Sequence, residues 1–251
     1  MNGIDVSKHN GAIDWQKVKA SGNVDFAILR AGIGKFASQK DVNFEANYSG
    51  AKSAGIPVGA YWYCYAKTVD EARQEAKACL ECIKGKKFDF PIYYDIEEQS
   101  TFSTGINSVS AIADAFCEVL EDAGYFVGIY AAKSHLENYF TDAVKKRYTV
   151  WVAHVGVNQT NYTGTYGMWQ YSWNGRIPGI SQQVDLDKCY VDFPSIINKK
   201  TEPTEEPAKR TVMYIPGITA ADVQTYLAWT AALGAGEYKD NEQDFKRFLE
   251  V

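Results

Sequence analysis

The chain has 251 residues, 46% hydrophobic and 23% charged, with 26 Lys and Arg against 31 Asp and Glu for a net charge of −5. That length suits one large domain, or one domain with an appendage. No apolar run reaches the ~18–20 residues of a membrane helix, and the acidic balance lacks the basic surface on which nucleic-acid binding rests, so a membrane span and a nucleic-acid partner are both excluded on this reading.

The opening MNGIDVSKHN has no basic n-region and no apolar h-region, so no signal peptide is read there. A first strand at 3–8 leads to a short helix, Asp14–Ser21, stopped by Gly22. A strand at 25–34 precedes a helix at Val42–Ala54, ended by Gly55 with Pro57 beyond. After a strand at 57–66, the helix Thr68–Lys84 opens on a capping box of Thr68 and Glu71 and stops at Gly85. A strand at 90–98 is followed by the helix Ser108–Ala123, with Ile112, Phe116, Val119 and Leu120 on one face. A strand at 125–132 precedes a fifth helix, Lys133–Lys146. Strands at 149–156, 167–173 and 183–190 then follow with little helix between them. Most of these strands are near-continuous apolar runs, as in parallel sheets covered on both faces. Strand–helix alternation with about eight strands predicts an α/β barrel rather than a doubly wound sheet, its last part mostly β.

Beyond 198 the composition changes. Residues 199–210, KKTEPTEEPAKR, carry no large apolar side chain and two Pro, and read as a linker. The remaining 211–251 read as a small module: a strand at Thr211–Ile215, a helix capped by Thr219 with an Ile218–Val223 staple, and a last helix over about Glu242–Leu249. A module this small is near the lower limit for folding alone, which favours docking or self-association.

The five Cys are an odd, sparse set and do not form a disulfide framework. Cys79 and Cys82 make a CxxC inside a helical stretch and read as ordinary reduced thiols. The three His (His9, His135, His154) show no HExxH, which leaves a His-based zinc site without support. No Walker A, GxGxxG or GxSxG motif is present.

Catalytic groups of an α/β barrel come from the C-terminal ends of its strands. Acids fall there at Asp5, at Asp95 and Glu97 in the fourth strand, and at Asp185 and Asp187 in the eighth. By strand periodicity Asp95 and Glu97 share a side. Two like charges held together and partly buried keep a proton available near neutral pH, which acid/base cleavage of a glycosidic bond needs. The same pair also reads as surface acids or as a salt-bridged structural pair, and less readily as carboxylates for Mg²⁺ or Ca²⁺.

The segments GIDVSKHNGAIDW, DFAILRAG, GIPVGAYWYCY, PIYYDIEE, GIYAA, WVAHV, MWQYSWNGRIPGIS and QVDLDKCY, in this order and spacing, resemble family 25 glycoside hydrolases, the lysozymes of fungi, streptomycetes and many phage endolysins. The resemblance covers 1–198 and stops short of the tail. It implies an irregular TIM-like (β/α)5(β)3 barrel and cleavage of the β-1,4 bond between N-acetylmuramic acid and N-acetylglucosamine in peptidoglycan. It implies Glu97 as general acid, Asp95 as partner carboxylate, and Asp5 and Asp185 as further acids of the mouth, with no cofactor and no metal. Substrate assistance by the 2-acetamido group, steadied by Asp95, goes with it. Tyr61, Tyr63, Tyr94, Tyr130, Trp151 and Gln170 fall in motifs whose side chains line the sugar groove, core packing being the alternative for each. Arg30 is expected to position the acids or to form a plain salt bridge. Glu98, an additional acid, is expected on the opposite side of the strand. By position, 211–251 are expected to bind cell wall or to self-associate, and the protein to reach the wall by holin release from a host cytoplasm or by secretion. A catalytically inactive wall-binding protein on the same barrel is the competing function, and a metal-dependent esterase, short of His ligands, a weaker one.

Overall fold

The computed structural model describes residues 1–201, 210–214, 237–239 and 246–250. The first unit, Met1–Asn198, is a closed barrel of eight strands in sequential order. Its strands are β1 (Asn2–Val6), β2 (Phe26–Ile33), β3 (Val58–Tyr63), β4 (Ile92–Asp95), β5 (Val127–Ala132), β6 (Thr149–Ala153), β7 (Met168–Gly175) and β8 (Val184–Cys189). β1 to β7 pair in parallel, and β8 alone runs antiparallel to both of its neighbours, β7 and β1. Parallel pairing needs crossovers, and helices supply the first five: α1 (Trp15–Ala20), α2 (Phe44–Ser53), α3 (Val69–Ile83), α4 (Gln99–Phe102) with α5 (Ile106–Asp122), and α6 (Lys133–Tyr139) with α7 (Asp142–Arg147). No helix separates β6, β7 and β8.

Strand parity divides the apolar side chains into two layers. Ala27, Leu29, Ala60, Trp62, Ile92, Tyr94, Ile129 and Val152 face outward, into the core shared with the helices. Phe26, Ile28, Tyr61, Tyr93, Tyr130, Trp151 and Met168 face inward and fill the barrel. The floor of the barrel is aromatic: Phe26 stacks on Phe90 with centroids 4.4 Å apart, and Phe193 closes it edge-on to Phe90. Inward glycines make room for these rings. A Cβ on Gly128 would lie 2.6 Å from Tyr93 Cε1 and 2.6 Å from the Thr149 carbonyl oxygen.

Several predicted elements differ at their ends. The fifth helix is broken into α6 and α7, because Phe140 turns extended and buries its ring. The short α4 after Glu98 carries no sequence periodicity. Thr68 caps α3 through Glu71 N, while the Glu71 carboxylate accepts from Lys67 N and not from the cap. α8 (Phe193–Thr201) follows β8.

The second unit, Lys199–Val251, contains β9 (Arg210–Tyr214), β10 (Glu237–Lys239) and β11 (Lys246–Glu250), an antiparallel sheet in the order β10-β11-β9. The strand expected near 211 is present. The last helix, expected over Glu242–Leu249, is corrected: 246–250 form the central strand, bonded on both edges, with Phe248 opposite both Val212 and Glu237. Two strand partners satisfy its backbone groups, which a short helical pattern of three apolar side chains cannot outweigh. The Thr219 helix, its staple and most of the linker lie outside the described residues.

Candidate active site

Five acids converge at the C-terminal mouth of the barrel because inward parity on three strands places them there. Asp5 is on β1, Asp95 ends β4, and Asp185 and Asp187 are on β8, where Asp5 is the register partner of Asp185. Glu97 lies past the end of β4, yet the ladder continues: Ile96 N donates to Tyr130 O at 3.0 Å. That bond carries the alternation two residues on and returns Glu97 to the side of Asp95. Asp5, Asp95, Glu97 and Asp185 line a cleft of about 340 Å³ together with Tyr61, Tyr130, Trp151, Gln170 and Trp173. That volume suits part of a small ligand.

The floor is Trp151, its ring 4.4 Å from that of Tyr130 and 6.3 Å from that of Tyr61. Its Nε1 donates to Asp187 Oδ1 at 2.9 Å. Gln170, 2% exposed, links three groups. Its Nε2 donates to Asp5 Oδ2 at 2.8 Å, and its Oε1 accepts from Tyr130 OH at 2.9 Å and from Trp173 Nε1 at 3.0 Å.

The electrostatics follow from crowding acids in a dry mouth. Burial pushes Asp95 well above the usual carboxylate range, and the charge of Glu97 adds to it, while Arg30 pulls it back. Its Oδ1 has no hydrogen-bond partner. Glu97 is exposed at the rim, but the walls around it desolvate it and raise its pKa, and the charge of Glu98 adds to that rise. Asp185 is raised to about 6 by burial and by Glu97. Asp5 and Asp187, deepest in the cluster, are both pushed well up, first by burial and then by neighbouring acids.

Three expected groove residues are elsewhere. Tyr94 does not line the cleft: one residue from Asp95, it has the opposite parity, stacks on Phe116 of α5 at 3.9 Å and donates to Glu75 Oε2 at 2.8 Å. Tyr63, half-buried at the rim, donates to Glu98 Oε1 at 3.0 Å, outside the lining of the cleft. Arg30 pairs through Nε with buried Asp41 at 2.7 Å, a plain salt bridge that still places a cation near Asp95. The Asp41 carboxylate also accepts from Lys8 N and Asn43 N, which ties the loops after β1 and β2 together. Glu98 is turned to Tyr63, away from the cleft. Trp173 was not singled out in the sequence; β7 shifts register between Gln170 and Ser172, so strand parity counted from Gln170 does not reach it. Asp187 was readable, two residues from Asp185 and so on the same face.

A sequence profile of the glycosyl hydrolases of family 25 matches residues 4–180. The autolytic lysozyme of Clostridium acetobutylicum is 30% identical over 188 residues, 75% of this chain and 55% of that protein, so the chain spans little more than half of that relative's length. The crystal structure of a bacterial lysozyme from Streptomyces coelicolor is similar at 28% identity with a TM-score of 0.71, over 80% of this chain and 98% of that one. A crystal structure of an endolysin is similar at 27% identity with a TM-score of 0.70, over 79% of this chain and 69% of that one.

Proposed function

The chain belongs to the glycosyl hydrolases of family 25, and from that premise we propose that it is a peptidoglycan hydrolase, a lysozyme acting at the bacterial cell wall on the β-1,4 bond between N-acetylmuramic acid and N-acetylglucosamine. The observation that carries the proposal is the gathering of Asp95 and Glu97 in one cleft with Asp5 and Asp185, over an aromatic floor that suits a sugar ring. Burial raises both central acids, Glu98 raises both further, and at Asp95 the cation of Arg30 pulls back toward the ionised form. We assign the roles from position: Glu97 stands exposed at the rim, where a leaving oxygen can reach it, and Asp95 lies buried beneath it in the same cleft. Glu97 gives its proton to the glycosidic oxygen as the bond to C1 breaks. The carbonyl oxygen of the sugar's own 2-acetamido group forms a bond to C1, and ionised Asp95 steadies the positive charge that develops on that group. Water then attacks C1, opening the ring so formed, and returns a proton to Glu97. Tyr61, Tyr130, Trp151 and Gln170 hold the sugar, and no cofactor or metal takes part in these steps.

The unit Lys199–Val251 we propose as a wall-attachment and self-association module, on the strength of its being a compact unit of its own and of small size.

The test of the activity is digestion of purified walls by wild type, by Glu97→Gln, and by wild type in EDTA, with analysis of the new reducing ends. Release of muramic-acid ends, lost in Glu97→Gln by about a hundredfold or more and indifferent to EDTA, is the expected result. Full activity of Glu97→Gln would overturn the assignment, and wall binding without cleavage by wild type would make the protein a binding module.

A further inference from the structure

β7 and β8 shift register twice, between Gln170 and Ser172 and again between Ser172 and Gly175. Ser172 pairs with Leu186 and Gly175 with Val184, so Trp173 and Asn174 together oppose the single residue Asp185. Two residues against one is a β-bulge, which re-aims the side chain it carries. Counted from inward-facing Gln170, position 173 would point away from the cleft; the shifts bring Trp173 into the lining, beside Asp185. The bulge is braced. Asn174 N donates to Ser172 Oγ at 3.2 Å, and a Cβ on Gly175 would lie 2.6 Å from the Val184 carbonyl oxygen, so a glycine is needed for β7 to close on β8 beyond it. Trp173 is 57% exposed, yet it is anchored. Its Nε1 donates to Oε1 of buried Gln170 at 3.0 Å, and Gln170 is held in turn by Asp5 and Tyr130. An indole has one donor and no acceptor. With that donor committed to Gln170, the ring offers a ligand only its apolar faces.

We propose that Trp173 is a substrate-binding residue, a fixed platform at the lip of the cleft on which a neutral pyranose of the glycan chain stacks. The proposal rests on the hydrolase reading for the identity of that chain. A cleft of about 340 Å³ holds only part of a ligand, so the rest of a chain needs support at the lip. Beside the ring, Asp185 and Glu97 can accept from sugar hydroxyls, and no cation is among the described residues that line the cleft. An apolar face next to acceptors fits a pyranose, whose C–H face is apolar and whose edge carries hydroxyls, and it repels an anion. An ammonium group would also suit a ring beside acids, and salt separates the two, since only the charged ligand is screened. A platform that makes no bond to the reacting atoms holds ground state and transition state alike, so Trp173 governs KM and not kcat.

The test compares Trp173→Ala, which removes the ring, with Trp173→Phe, which keeps an aromatic face and loses the N–H, both in the full-length protein. Kd for a soluble peptidoglycan tetrasaccharide is measured by titration calorimetry with Glu97→Gln added to block turnover, and KM and kcat are measured on the same fragment with Glu97 intact. Trp173→Ala is expected to weaken binding and raise KM about tenfold, with kcat changed by less than about twofold. Trp173→Phe is expected to lose only about threefold, since the face remains. Equal Kd values for the parent and Trp173→Ala would overturn the proposal. So would a Trp173→Phe as weak as Trp173→Ala, because the N–H and not the face would then carry binding. Binding that collapses as salt is added would assign the ring to a cationic group and overturn it as well. The calorimetry needs no turnover. A protein that binds the fragment without cleaving it therefore sinks the hydrolase reading, while the Kd comparison still decides this one. If Trp173→Ala does not fold, Trp173→Leu, apolar but without an aromatic face, makes the same comparison.

Discussion

Glu75 sits on the inner face of α3, 1% exposed, accepting from Tyr94 OH at 2.8 Å on one oxygen and from Tyr65 N at 3.0 Å on the other. Burial raises its pKa from 4.5 to about 7. A carboxyl raised on folding binds its proton more tightly in the native state than in the unfolded chain. Its contribution to stability is therefore full below about pH 4.5 and is lost as the pH rises through about 7. A shift of this size corresponds to about 3 kcal/mol as an upper figure. Glu75→Gln is expected to shrink the fall in urea midpoint between pH 5 and pH 8, and an unchanged fall would refute the assignment. The partner of Glu75 also shows what strand parity already contains. Tyr94 and Asp95 are adjacent in a strand, so only one of them can face the cleft. A motif match that assigns both to the groove ignores that alternation. The acids were legible because they recur at even spacing near strand ends. Trp173 was not, because a register shift resets the count.

Alternation of strands and helices was the strongest signal at the scale of elements, and it survives in the eight-stranded closure. What it could not carry were breaks made by tertiary contacts. Phe140 is buried 6.5 Å from Phe102 of α4, and Thr141 N is bonded to Ser110 Oγ of α5 at 2.8 Å. Both partners are distant in sequence, so nothing local stops the helix there. β11 has the same explanation, since its strand state depends on β9 and β10. The inward glycines make a prediction about one element. Gly128→Ala places a methyl group against a backbone carbonyl and a buried ring, neither of which can yield easily. The expected loss is ~1–3 kcal/mol, or several degrees in Tm for a domain of this size. A variant as stable as wild type would show that β5 and Tyr93 have slack that their packing does not suggest.

For the molecule as a whole, the net charge of −5 sits on a protein proposed to act on a largely anionic wall. Long-range attraction therefore does not bring the two together, and attachment falls to the cleft and to residues 199–251. Removing 202–251 is expected to lower wall binding and to change the oligomeric mass in ultracentrifugation, while cleavage of soluble wall fragments by the barrel persists. If neither binding nor mass changes, the module has some other role. Finally, the reversal of β8 has a use. Because this strand alone returns to the floor, Cys189 and Met1 exchange backbone hydrogen bonds of 2.9 and 3.0 Å there, far from the mouth. α8 then seats Phe193 and Ile197 under the same floor. The barrel's entry and exit are neighbours on its blind side. A circular permutant that joins them and opens a surface loop elsewhere keeps every strand contact, and a reporter or surface tether attached at either end leaves the cleft unobstructed.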